Sequence, residues 1–172
     1  MSYDMQYDGY SELVGAAPKR LADAKRLVEA LPASVTDSDA AYRHLCGAYY
    51  LAGYAVECVL KAYIIARYRF SPRLDERRWA AVVRRLGKGG ERDVGGKRGH
   101  SLTLLFELSG LDKQMANDRR AEQSWRACQN WRFYMRYCPH YTERRGPVRN
   151  RQQVEEMVRD CETVYDWVRK ML

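Results

Sequence analysis

The chain contains three histidines, and a histidine set near an arginine or a carboxylate is the commonest means of moving protons near neutral pH. His140 follows Arg136 by four residues, the separation that brings two side chains onto one helical face, although Pro139 between them disturbs that geometry. Glu57 and Lys61 form a second pair at i and i+4, oriented as a favourable ion pair, inside the most apolar stretch of the chain. Charges in such a setting are costly unless they are satisfied. Two readings of Glu57 stay open. In one it is structural, receiving hydrogen bonds from Arg136, His100 or a helix end and so orienting the helices. In the other it joins Arg136 and His140 in a polar site facing a dimer cleft. Arg136, His140 and Glu57 are the catalytic candidates.

Other chemistries lack their residues. No H-E-x-x-H segment or paired-carboxylate spacing gathers metal ligands, and no G-x-x-x-x-G-K-[ST] loop is present to cradle nucleotide phosphates. The five cysteines, Cys46, Cys58, Cys128, Cys138 and Cys161, contain no C-x-x-C pair. Their scatter and odd number suit reduced, buried thiols rather than a disulfide framework. No metal and no cofactor is expected.

The formal charge of +8 and a pI near 9.3 permit a polyanionic partner without demanding one. Between Arg73 and Arg98, nine basic residues stand against four acids, Asp75, Glu76, Glu91 and Asp93, so that this segment alone carries +5. Arg84, Arg85, Lys88, Arg92, Lys97 and Arg98 are the candidate nucleic-acid contacts. Arginine makes forked phosphate contacts and neighbouring glycines let the backbone approach closely. A solvated surface insertion explains the same residues equally well. Tyr42, Tyr49, Tyr50, Tyr54 and Tyr63 fall at helical spacing within one apolar helix, which favours packing over base stacking.

These side chains need a scaffold, and the apolar pattern supplies helices. With 172 residues, 46% of them hydrophobic and 30% charged, the chain suits one folded domain spanning 1–172. Pro18 to Leu31 reads as a helix with proline in its first turn. Ser38 or Thr36 can cap a long central helix to about Arg69, apolar on more than one face. A shorter helix is predicted over Asp75 to Leu86, followed by a Gly/Arg-rich loop around 87–99. Ser101 can cap the next helix, with Leu102, Leu105, Phe106 and Leu108 on its apolar side and Gly110 placed to end it. From Asp112 the chain is polar until Trp125, Cys128, Trp131 and Met135 give a helix-like spacing ending at Pro139. The last helix carries Val154, Met157, Val158, Cys161, Val164, Tyr165, Val168 and Met171 or Leu172 at three- and four-residue steps. No strand-like alternation appears, so the expected fold is all-α, an up-and-down antiparallel bundle of four to five main helices. Glu57 and Lys61 interrupt the apolar run from Ala48 to Ala66, and the opening residues MSYDMQYDGY lack a secretory pattern, so a cytoplasmic protein without a membrane span is expected.

The run Gly47 to Arg67, GAYYLAGYAVECVLKAYIIAR, contains Y-x-x-G-Y-A-x-E-x-x-L-K from Tyr50 to Lys61 and resembles the central-helix signature of prokaryotic HEPN-domain proteins. Gly99 to Leu102, G-H-S-L, is similar to the His-x-Leu that opens that family's next helix. Trp125, Trp131, Arg136 and Tyr137 resemble its later aromatic segment. The resemblance implies a bundle of about four main helices that often forms a homodimer. It also implies a role in RNA cleavage, in RNA or nucleotide binding, or beside a cognate partner protein in defence and toxin-antitoxin systems. HEPN ribonucleases carry Arg-(x)4-6-His, in which histidine is the general acid or base and arginine steadies charge on the phosphate. That motif is absent here. The required positions hold Asp37, Ser38 and Asp39 before His44, Asp93, Val94 and Gly95 before His100, and Phe133, Tyr134 and Met135 before His140. The expected function is therefore that of a non-catalytic or catalytically diverged HEPN protein, with a metal-independent ribonuclease or a structural interaction module as alternatives.

Overall fold

The computed structural model describes residues 9–31, 39–69, 100–129, 131, 148 and 150–172, and every element among them is a helix. In chain order these are α1 (Tyr10–Glu29), α2 (Asp39–Arg67), α3 (Leu102–Ser109), α4 (Asp112–Met115), α5 (Arg119–Cys128) and α6 (Arg151–Arg169). The all-α expectation holds for these residues. The helix expected over Asp75 to Leu86 and the loop around 87–99 lie outside them.

α1 starts well before Pro18, which sits inside the helix rather than in its first turn. The reason is the apolar stripe Leu13, Ala17, Leu21, Ala24 and Val28, all buried. An interior proline costs about 3 kcal/mol, and burying Leu13 returns an amount of the same order, about 1.5–3 kcal/mol.

α2 is the centre of the molecule, packing against α1, α3 and α6. Ala48, Ala52, Ala55, Val56, Val59, Leu60 and Ile64 are all fully or almost fully buried, and the alanines let neighbouring backbones come close. By length and composition alone Ala40–Arg67 would suffice to cross a membrane, but 72% of its most apolar window is buried inside the protein. The helix stops at Arg67, and Arg69 follows in a left-handed conformation with φ of 50°.

Side-chain caps define the starts of α3, α5 and α6. Ser101 Oγ accepts from the Leu104 N–H at 3.3 Å, Asp118 Oδ1 from Ala121 at 3.0 Å, and Asn150 Oδ1 from Gln153 at 2.8 Å. Gly110, at φ of 63°, ends α3 in the left-handed conformation that glycine adopts without strain. α5 corrects the reading of residues 112–124 as merely polar. Its buried face is Ala121, Ser124, Trp125 and Cys128, mostly small residues that weaken the apolar signal. Trp131 lies beyond the end of α5 rather than within a helix continuing from Trp125. α6 buries the residues expected of it, with Trp167 in addition, while Met171 and Leu172 are exposed at 43% and 40%.

The contacts fix directions. Leu31 meets Arg151 and Lys25 meets Glu162, so α1 and α6 run antiparallel. Thr103 meets Gln129 and Phe106 stacks on Trp125, so the lines of α3 and α5 are also antiparallel. α3 instead runs in the same direction as the second half of α2. Glu57 faces His100 at one end, while the Arg67 guanidinium donates to the Ser109 carbonyl at 2.7 Å and Tyr68 Oη to that of Leu108 at 3.1 Å at the other.

Candidate functional site

Tyr50, Tyr54, Glu57 and Lys61 follow one another at four- and three-residue steps and therefore occupy a single stripe of α2. Two other parts of the chain meet this stripe. His100, immediately before the α3 cap, reaches its lower half. Trp131, just beyond α5, covers its upper half.

The lower half is a charged cluster. Glu57 is fully buried, with Lys61 Nζ 2.6 Å and His100 Nδ1 2.9 Å from the same oxygen, Oε1. Oε2 is also buried and has no hydrogen-bond partner among the described residues. Burial pushes the Glu57 carboxyl up, but the hydrogen bond from His100 and the charge of Lys61 outweigh it, and its pKa falls below the usual carboxylate value. Glu57 is thus ionised at neutral pH and can only accept, which requires the proton of the His100 contact to sit on Nδ1. The Lys61 side chain is 17% exposed and that of His100 37%, so the cluster reaches from the core to the surface.

The upper half is aromatic. The rings of Tyr50 and Tyr54 stack with centroids 5.8 Å apart and planes 9° apart, and Trp131 stacks on Tyr50 at 5.8 Å and 27°. Gly53 makes this possible: a Cβ there would fall 2.2 Å from Trp131 Cδ1 and 2.3 Å from Cγ. Tyr50, Tyr54 and Tyr63 are half-buried, whereas Tyr42 and Tyr49 are core residues.

Of the candidate residues, Glu57 is therefore placed, and it meets His100 and Lys61. Arg136, His140, Arg84, Arg85, Lys88, Arg92, Lys97 and Arg98 lie outside the described residues. His44 is exposed on α2, away from this stripe. No group of three or more histidine, cysteine or acidic side chains able to hold a metal ion occurs among the described residues. Among the described residues two open hollows of about 360 Å³ lie elsewhere, one between Asp118 and Lys170, the other over Phe106 and Trp125. The Glu57–Lys61 pair was readable from its spacing. The approach of Trp131 to Gly53 was not, although a glycine amid tyrosines in an otherwise alanine-rich helix is the kind of signal that marks a close neighbour.

The cluster can neutralise, orient and fasten: a buried anion holds a lysine from its own helix and a histidine from the start of another. No family model, no curated protein and no solved structure matches the chain.

Proposed function

We propose that the chain is a HEPN-like helical bundle that binds RNA through its basic segment, works as a homodimer in the cytoplasm, and lacks the Arg-(x)4-6-His centre of the family's nucleases. The observation that carries this reading is the way the residues on either side of 70–99 are held. On one side Arg67 and Tyr68 are bonded to the end of α3, and on the other His100 is bonded to Glu57. Glu57 and Arg67 are ten residues apart on one helix, so the two anchors stand roughly 15 Å apart at 1.5 Å per residue. Binding residues concentrate between the rigid elements of a fold, and residues 70–99 carry +5 of the chain's +8. The placement of Tyr50, Tyr54, Glu57 and Lys61 of the Y-x-x-G-Y-A-x-E-x-x-L-K run along one stripe, met by His100 and Trp131, supports the HEPN-like architecture.

The test is a labelled structured RNA mixed with purified protein in EDTA at two salt concentrations, with binding and cleavage followed together. Salt-sensitive binding is expected, lost when Arg84, Arg85, Lys88, Arg92, Lys97 and Arg98 are all replaced by alanine. Binding untouched by those replacements, or no binding at all, overturns the reading and turns the search toward a protein or nucleotide partner. Cleavage by the wild type that disappears in His140→Ala replaces it with a metal-independent nuclease using Arg136 and His140.

A further inference from the structure

The contact between α5 and α6 contains two thiols that touch. Cys128 is the last residue of α5 and Cys161 lies in the middle of α6; both are fully buried, and their sulfurs are 3.5 Å apart. A disulfide spans about 2.05 Å, so the sulfurs need to close by only roughly 1.5 Å. The helices are already held together next to them, by Ser124 Oγ donating to Asp160 Oδ1 at 2.8 Å. Cys128 is also tied to the α2 stripe: its carbonyl accepts the Trp131 N–H at 2.8 Å, and the Trp131 ring lies on Gly53.

We infer that Cys128 and Cys161 form a redox-sensitive latch, which a hydroperoxide closes into a disulfide that fastens α5 to α6 and holds Trp131 on α2. With hydrogen peroxide, the Cys128 sulfur attacks one peroxide oxygen, the O–O bond breaks, and a sulfenic acid and one water result. The Cys161 sulfur then displaces the hydroxyl from that sulfur, the S–S bond forms, and the departing hydroxide takes the Cys161 proton as a second water. In balance, two thiols and one peroxide give one disulfide and two waters.

Burial pushes the Cys161 thiol well above its ordinary pKa, and the Cys128 hydrogen bond and the charge of Asp160 push it further the same way. Cys161, in the middle of α6, is the resolving thiol. Cys128 sits at a helix end, where local opening costs least, and it is the point of entry for the oxidant.

The test is to expose the native wild-type protein to hydrogen peroxide, block remaining thiols with N-ethylmaleimide, digest without reductant and map the peptides by mass spectrometry. A Cys128–Cys161 cross-linked peptide is expected, removed by dithiothreitol, with a Tm roughly 5–10 °C higher in the oxidised protein. Blocked, unlinked Cys128 and Cys161 after peroxide treatment overturn the proposal, as does a link that forms only in denaturant. Cys128→Ala is expected to lose the peroxide-dependent rise in Tm, and retention of that rise would refute the latch. If that variant does not fold, the wild-type peptide map decides alone.

Discussion

Trp131 lies against the α2 backbone at Gly53 so closely that no side chain fits between them, with the position of a Cβ only 2.2 Å from the indole ring. Alanine normally favours a helix over glycine by about 1 kcal/mol. Here the sign reverses. The clashing atoms include Cγ, the root of the ring, so the indole cannot swing aside without leaving its stack on Tyr50. Gly53→Ala is expected to destabilise the fold by about 1–3 kcal/mol, as overpacked cores do. Thermal unfolding of the two proteins checks this, and a Gly53→Ala variant as stable as the wild type would refute the close packing.

Removing the two ends of the buried ion pair has unequal consequences. Lys61→Met leaves the Glu57 carboxylate in the core with His100 as its remaining donor in the cluster, whereas Glu57→Gln leaves Lys61 and His100 able to turn toward water. Breaking a buried pair costs about 3–5 kcal/mol when a charge is stranded. Lys61→Met is expected to reach that range and Glu57→Gln to cost less, an order that urea unfolding of both variants measures.

The same carboxylate makes stability depend on pH. Its folded pKa lies below its unfolded value, so ionised Glu57 contributes stability that is fully present above the ordinary glutamate range of about 4.3 and is lost as pH falls through the lower folded value. The stability gap between wild type and Glu57→Gln is expected to narrow at pH values below about 4. A gap that widens as pH falls below about 4 would contradict the depressed pKa. Denaturant titrations across this range decide.

The caps of α3 and α6 set a local scale. Ser101→Ala and Asn150→Ala each remove an acceptor for a first-turn N–H and are expected to cost about 1 kcal/mol. Ser101 follows His100 directly, so its loss is also expected to raise amide hydrogen exchange along Leu102–Leu105 first.

How legible the chain was depends on where each element's information resides. α6 is readable because its buried positions are apolar throughout and recur at helical steps. α3 is readable because Ser101 and Gly110 mark both of its ends. α5 is hidden in the sequence because Ala121, Ser124 and Cys128 bury little apolar area each and Arg119, Arg120 and Glu122 dominate its composition, leaving the Asp118 cap as its one local mark. Pro18 misled because local propensity yields to the stripe that includes Leu13 and Ala17. In the site, the Glu57–Lys61 pair belongs to one helix and is encoded in spacing. The contacts of Glu57 with His100, of Gly53 with Trp131, and of Cys128 with Cys161 join distant positions, and no local pattern chooses among the distant partners.

The central position of α2 also sets an order of events at the ribosome. Its faces are covered by α1, which precedes it, and by α6, whose first residue is Arg151. At about 5–20 residues per second, a finished α2 waits several seconds or more before α6 emerges to shield it. During that interval a helix apolar enough in composition to suit a bilayer stands partly uncovered. A nascent chain halted shortly after Arg67 is thus the form of this protein most in need of a chaperone.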